Sequence, residues 1–159
     1  MREILFRGKA INRIKGRQYR TKYKNGDWVY GLIEKLYDDY FPNIPATMRN
    51  TDGVSDIDID YNTIGQYTGL TDKNGNKIFE GDIVKAEDGD YIFVVKFGKC
   101  GGVSNAEDFG YMGFFVDGFD EITKECIKYG LRKDICFFTD IQVIGNIHDN
   151  PDLLKGGDE

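Results

Sequence analysis

Residues 63–85 read TIGQYTGLTDKNGNKIFEGDIVK, a pattern typical of two β-strands joined by a tight turn. The tetrapeptide Asp72-Lys73-Asn74-Gly75 is a strong turn signal, because asparagine and glycine tolerate positive φ angles. Apolar and aromatic residues flank the turn on both sides, which predicts one strand before it and another after it. These flanking residues are Ile64, Tyr67, Leu70, Ile78, Phe79, Ile83 and Val84. The stretch therefore predicts a β protein.

Two acidic motifs in this stretch invite a chemical interpretation. Counting Asp72 as the first residue of a calcium loop puts Lys77 where glycine is needed and Ile83 where glutamate is needed, so an EF-hand is excluded. Glu80 and Asp82 flank a glycine and are candidates for acid–base catalysis. Two residues apart on a strand they have similar exposure, so nothing separates their pKa values. We therefore predict that Asp82 caps a turn by accepting backbone N–H groups.

The chain resembles the YopX family of phage and prophage proteins. The resemblance rests on Ile64-Gly65-Gln66-Tyr67-Thr68-Gly69-Leu70, on Asp72, Gly75 and Ile78, and on Glu80-Gly81-Asp82-Ile83-Val84. Three further segments fall in the family's order, namely Ile4–Lys9, Gly26–Gly31 and Val143–Leu154. The resemblance implies an SH3-like β-barrel in the C-terminal part, a phage or prophage origin and self-assembly into oligomers. It implies no activity, because the family has no agreed one.

Composition narrows the class of protein. A chain of 159 residues with 40% hydrophobic and 14% aromatic residues can bury a core as one domain, or as a small barrel with an extension. A mean hydropathy of −0.47 and the lack of a long apolar run argue against a membrane span. The N-terminus lacks a secretory signal, and three widely spaced cysteines with one histidine give poor support for zinc. We expect a protein of the bacterial cytoplasm with no metal and no cofactor.

Charge is distributed unevenly along the chain. Residues 1–31 hold nine basic and two acidic side chains, a net charge of +7, which leaves −13 on residues 32–159 of a chain whose net charge is −6. Such asymmetry favours either an anionic partner such as nucleic acid, or the acidic body of the same chain or of a neighbouring subunit.

A basic arm at residues 13–24 carries the nucleic-acid hypothesis. It interleaves cations with two tyrosines, which is typical of a surface that contacts phosphates and stacks on bases. The candidate residues are Arg17, Tyr19, Arg20, Lys22, Tyr23 and Lys24. The same pattern is also typical of a solvated hairpin without a ligand, and the sequence favours that interpretation.

Further strands follow from alternation. In residues 28–34, Trp28, Tyr30 and Leu32 share one face and Val29, Gly31 and Ile33 the other, and we expect Trp28 to anchor a core or an interface. Residues 56–60 alternate three aspartates with two isoleucines, a half-buried strand rather than a Mg²⁺ or Ca²⁺ site. Residues 91–97 are apolar almost throughout, which predicts a central strand, and further strands are predicted at 111–116, 134–138 and 141–147.

The connections are predicted from turn residues and helix caps. Turns are expected at 50–53, 87–90 and 98–102. The first of these turns lies within a polar connection at 49–62. A short helix is predicted from Asp120 to Tyr129, with Ile122 and Cys126 on its buried side. A helical turn starts at Asn150-Pro151, and residues 155–159 should be disordered. His148 beside Asp149 is expected to have a surface role, because no nucleophile accompanies it.

We therefore predict a mainly β protein with an SH3-like β-barrel, a β-rich N-terminal extension and short helices. The predicted division is residues 1–62 with the basic arm, 63–150 as the barrel, and 151–159 as a helical turn with a flexible tail. We predict a noncatalytic binding or assembly module that associates with itself or with a host or phage protein. The alternative is a nucleic-acid-binding protein that uses residues 13–24.

Overall fold

The computed structural model describes residues 3–11, 22–35, 46–53, 57–86, 92–100, 111–120, 125–130 and 141–154. Within these ranges the chain is mainly β, as predicted, with eleven strands in two antiparallel sheets and two short 3-10 helices. The strands are β1 (Phe6–Lys9), β2 (Trp28–Lys35), β3 (Ala46–Asn50), β4 (Ile57–Ile59), β5 (Gly65–Thr71), β6 (Lys77–Phe79), β7 (Asp82–Ala86), β8 (Ile92–Cys100), β9 (Tyr111–Asp120), β10 (Glu125–Gly130) and β11 (Ile141–Asn146). The 3-10 helices are Tyr61–Thr63 and Pro151–Leu154.

The chain forms two compact units, residues 1–67 and 68–159, and passes from the first to the second within β5. In the first unit the strand order is β4-β3-β2-β1-β5. The residues after β1 also contact β4. Ala10 forms a β-bridge with Ile59, and the Ile11 N–H donates to the Asp58 carbonyl at 2.9 Å. The predicted alternation along residues 56–60 is confirmed where the structure describes it.

The core of the first unit is built from the inward positions of these strands. Strand alternation puts every second side chain on this face, and the buried cluster follows that period. Its members are Ala10, Val29, Met48, Ile57 and Ile59. The outward positions of β2 therefore remain on the opposite face of the sheet.

The second unit contains a sheet with the order β10-β9-β8-β7-β11, and β6 lies beside the end of β5. The strand predicted at 91–97 is central, as expected, since β8 has two strands on either side. Its alternate side chains enter a core shared with the neighbouring strands and β6. That core comprises Ile78, Val84, Ala86, Phe93, Val95, Phe114, Val116 and Ile141.

Three local predictions are wrong. The helix expected from Asp120 to Tyr129 does not form, since β9 runs to Asp120 and β10 returns antiparallel to it from Glu125. The turn expected at 98–102 starts too early, because β8 continues to Cys100 in register with Tyr111. The polar connection expected at 49–62 begins inside β3. In each case pairing with a neighbouring strand of the sheet overrides the local sequence signal.

Several predictions match the described backbone. The strands predicted at 28–34, 111–116 and 141–147 correspond to β2, β9 and β11, and the C-terminal helical turn is the 3-10 helix Pro151–Leu154. The turn predicted at 87–90, the strand at 134–138 and the tail 155–159 lie outside the described residues. In the portion of the chain that the structure describes, no helix is long and apolar enough to cross a membrane.

Candidate binding surface

The outward face of β2 carries a row of large side chains. Val29 and Gly31 are buried, whereas Tyr30 is 41% exposed and Leu32 is 51% exposed. Trp28, at the start of the same row, is partly buried. Because alternate residues of a strand lie about 7 Å apart on one face, these three side chains form a continuous row.

Two cations of β1 flank the first member of this row. In the register of β1 and β2, Lys9 lies opposite Trp28 and Arg7 opposite Tyr30. The Arg7 Cζ atom is 4.8 Å from the centroid of the Trp28 ring, and the Lys9 Nζ atom is 5.4 Å from it. Cations at these distances are attracted to the negative face of an indole, so they hold the ring in place and bring positive charge to the row.

The other side of the row is bordered by β3. Arg49 lies opposite Leu32, and its guanidinium binds the Glu34 carboxylate through Nη2 at 2.8 Å and Nε at 2.9 Å. This ion pair ends the apolar row at a neutral polar boundary. We call Trp28, Tyr30 and Leu32, together with Lys9, the β2 face.

The basic arm contributes three described residues, and each contacts the rest of the first unit. Lys22 Nζ lies 2.8 Å from Asp52 Oδ2, and the hydrogen bond and charge of Asp52 raise the pKa of Lys22. The Tyr23 ring packs against the first-unit core, and its hydroxyl accepts the Asn50 side-chain amide at 2.9 Å. The Lys24 backbone N–H donates to Asp27 Oδ2 at 2.7 Å.

The remaining arm candidates, Arg17, Tyr19 and Arg20, lie outside the described residues. Among the described candidates, Lys22 is therefore exposed beside a carboxylate, whereas Tyr23 packs against the core. The alternation of charge and ring in the sequence could not show this, because it does not reveal which side of the arm meets the core.

Asp82 serves the turn between β6 and β7. Its side chain is 1% exposed, and Oδ2 accepts the Phe79 backbone N–H at 2.7 Å. The prediction that Asp82 caps a turn is confirmed. The similar exposure expected of Glu80 and Asp82 is wrong, because Asp82 is buried at the start of β7 while Glu80, two residues earlier in the turn, is partly exposed.

Asp72 joins its turn to β11 in the second unit. Oδ1 accepts the backbone N–H groups of Asn74 and Asn76 at 2.9 and 2.8 Å. Oδ2 accepts the Asn76 side-chain amide and the Val143 N–H, both at 3.1 Å. Burial raises the pKa of the Asp72 carboxyl, but the hydrogen bonds, that from the Asn76 amide foremost, outweigh it and hold the pKa below its usual value near 3.8.

The turn prediction at residues 72–75 is confirmed by the same geometry. Gly75 has a φ of 82°, a left-handed conformation that favours glycine, and its N–H donates to the Asp72 carbonyl at 3.0 Å. The carboxylate is thus the centre of a closed turn, and its acceptor positions are occupied by protein donors.

His148 lies in a second hydrogen-bonded turn, after β11. Asn146 Oδ1 accepts the backbone N–H groups of His148 and Asp149, each at 3.0 Å. Asn150 folds back to Asn146, and a Cβ at Gly145 would approach Asn150 Oδ1 to 2.6 Å. The motif around the single histidine is therefore explained by backbone capping.

Leucines at the end of this turn face solvent. Leu153 is 38% exposed and Leu154 is 42% exposed on the 3-10 helix, and Ile147 is exposed at the start of the turn. Their exposure leaves them available for contact with another surface.

The described geometry defines a two-unit, mainly β protein with an aromatic and cationic strand face. The family model described as YopX protein matches residues 18–155, so the chain belongs to the YopX family. A crystal structure of protein EF1440 from Enterococcus faecalis is similar over 96% of this chain and 98% of that one, with 23% identity and a TM-score of 0.39. No curated protein matches the chain.

Proposed function

We propose that this YopX-family protein is a noncatalytic binding and assembly module of a phage or prophage. It acts by binding protein, and in the first place a second copy of itself. The observation that carries the proposal is the exposed row of Tyr30 and Leu32 beside Trp28 on β2.

The composition of the row supports a protein partner. Single exposed apolar residues are common on monomers, but here three large side chains stand in line on one rigid strand. Tryptophan and tyrosine are enriched among the residues that carry most binding energy at interfaces. Complete burial of a leucine is worth roughly 1.5–3 kcal/mol, so burying the exposed half of Leu32 contributes about 1 kcal/mol.

The noncatalytic part of the proposal is supported by what the acidic candidates do. Asp82 caps a turn and Asp72 accepts four hydrogen bonds, so both carboxylates serve the backbone. The SH3-like barrel expected from the resemblance belongs to the same proposal. It is supported by the five-stranded antiparallel sheet of the second unit, and small barrels commonly bind through loops and aromatic surfaces.

The test is sedimentation velocity over protein concentrations from about 1 to about 100 µM, the range of weak to moderate affinities. We expect the wild type to associate and the Leu32→Lys variant to remain monomeric, because a charge is placed in the row. Tyr61→Lys is the matched control, since Tyr61 is exposed in the same unit but lies outside the row. Equal association by wild type and Leu32→Lys would overturn the proposal.

Nucleic-acid binding through residues 13–24 is the second candidate function. It is favoured by the net charge of +7 on residues 1–31 and by the two cations beside Trp28. Labelled single- and double-stranded DNA and RNA should then bind at low salt and dissociate steeply as salt rises. Neutralising Arg17, Arg20, Lys22 and Lys24 together should abolish that binding, and an absence of binding at low salt would eliminate this candidate.

A further inference from the structure

The C-terminal turn, residues 146–154, presents apolar side chains among acidic ones. Ile147, Leu153 and Leu154 are exposed, and so are the carboxylates of Asp149 and Asp152. An apolar segment with negative charge at its border is the chemical complement of a face with aromatic side chains and positive charge at its border. The β2 face is such a surface.

Hydrogen bonds hold this turn in shape before it meets a partner. Asn146 Oδ1 accepts two successive N–H groups, and the Asn146 amide donates to Asp149 Oδ2 at 2.9 Å. The Leu153 N–H donates to the Asn150 carbonyl at 3.1 Å. A preformed segment loses less conformational entropy when it binds, so a few exposed side chains can give measurable affinity.

The net charges of the two units also favour a contact between the β2 face of one copy and the C-terminal turn of another. Residues 1–67 contain eleven basic and nine acidic side chains, a net charge of +2, whereas residues 68–159 contain ten basic and eighteen acidic ones, a net charge of −8. Two copies are therefore attracted most strongly when the first unit of one meets the second unit of the other. The β2 face belongs to the first unit and the C-terminal turn to the second.

We infer that the C-terminal turn of one copy docks on the β2 face of another. This inference rests on the proposed function and names the partner segment. Leu153 and Leu154 pack against Tyr30 and Leu32, while Asp149 and Asp152 lie near the cationic border that Lys9 provides. The contact joins two different surfaces, so it is heterologous, and repeated use of it builds rings or chains unless two copies exchange turns reciprocally.

Complementation between two defective variants tests this arrangement. The face variant carries Tyr30→Lys and Leu32→Lys, and the turn variant carries Leu153→Lys and Leu154→Lys. All four positions are exposed, so circular dichroism and thermal midpoints should show that both variants fold. Met112→Lys is the matched control, because Met112 is an exposed apolar residue of the second unit outside the turn.

Each variant alone should associate at least about tenfold more weakly than wild type, a factor measurable by sedimentation. Mixed in equal amounts they should form a one-to-one complex, since the turn variant keeps an intact face and the face variant an intact turn. Raising the salt concentration should weaken that complex, because charge contributes to the contact.

The possible failures separate the two proposals. If the face variant loses association but the turn variant associates like wild type, the docking of the turn is overturned and the function of the β2 face stands. If both variants lose association but their mixture forms no complex, the docking of the turn is again overturned. If the face variant associates like wild type, or the wild type is monomeric throughout, the proposed function is overturned as well.

Discussion

The hairpin at residues 63–85 and the strand β2 both carry family motifs, but they direct their side chains in opposite ways. The hairpin turns its carboxylates toward the backbone, where Asp72 and Asp82 accept N–H groups. The strand directs Tyr30 and Leu32 toward solvent, where 41% and 51% of these residues are exposed. The polar motif, which resembles a catalytic pair in the sequence, caps turns in the structure. The apolar motif of β2 carries the exposed side chains on which the proposed binding surface rests.

The difference has a physical basis. A buried carboxylate costs free energy unless its oxygens are hydrogen-bonded, and a tight turn supplies the donors. An exposed leucine or tyrosine on a strand contributes favourable hydrophobic free energy only when another surface covers it and removes it from water. Substitutions in the hairpin should therefore affect folding, and substitutions in the β2 face should affect association.

The largest effect on folding is expected at Asp82. Asp82→Ala removes the acceptor of the buried Phe79 N–H and should lower the free energy of unfolding by about 3 kcal/mol, measured by urea titration. Glu80→Ala, two residues away and partly exposed, serves as the control and should cost less than about 1 kcal/mol. Equal losses of unfolding free energy in the two variants would contradict the capping role given to Asp82.

The next effect is at Asp72 and depends on pH. The folded state holds the pKa of Asp72 below its unfolded value near 3.8, so the carboxylate stabilises the fold above that value. The stabilisation is lost as pH falls through the lower, folded-state pKa. Asp72→Asn should cost about 2 kcal/mol near neutral pH, where it removes charged hydrogen bonds.

The pH series gives the control for this prediction. The difference in unfolding free energy between wild type and Asp72→Asn should shrink as the pH is lowered from about 5 to about 2, because protonation then neutralises the wild-type side chain. A difference that stays constant over this range would contradict the role given to the ionised carboxylate.

A smaller effect is expected at Gly145. Gly145→Ala places a methyl group 2.6 Å from Asn150 Oδ1, so the turn after β11 must shift at a cost of about 1–2 kcal/mol. Gly98→Ala is the matched control, since the nearest atom there is the Phe115 ring at 3.6 Å. Thermal denaturation of both variants should separate them, and equal midpoints would contradict the account of the turn.

The smallest effect on folding is expected at the arm. Lys22→Ala breaks the exposed pair with Asp52, and such pairs are screened by water and salt. The thermal midpoint should stay at the wild-type value at low and at high salt. A clear fall in the midpoint would show that the arm is tied to the first unit more strongly than an exposed pair allows.

Sequence reasoning predicted the elements whose signals are local. Alternation predicted β2 and β4, a nearly continuous apolar run predicted β8, and the Asp72 turn follows from the residues Asn74 and Gly75 alone. β3 was missed because Thr47, Arg49 and Asn50 look polar, although Thr47 and Asn50 are buried by their neighbours in the sheet. β10 was taken for a helix because Asp120, Ile122, Cys126 and Gly130 fit a helix cap and period, although β10 pairs antiparallel with β9, the strand just before it.

The candidate site, too, could be predicted from the sequence only in part. The sequence places Trp28, Tyr30 and Leu32 on one side of a strand, because that side follows from the period of two. It does not tell which side faces solvent, since that depends on Met48 and Ile59 packing from other strands. The cations beside Trp28 come from β1, and only the pairing of β1 with β2 brings them there.

The most direct measurement of the central claim uses Trp28, the only tryptophan in the chain, as a reporter within the β2 face. Its fluorescence emission is recorded while the protein is diluted from about 100 to about 1 µM, the range in which weak complexes dissociate. Covering of the face by a second copy predicts a shift of emission to longer wavelength on dilution, absent in the Tyr30→Lys, Leu32→Lys variant. Emission that stays constant while sedimentation shows the protein dissociating would contradict the claim that the β2 face is the surface of association.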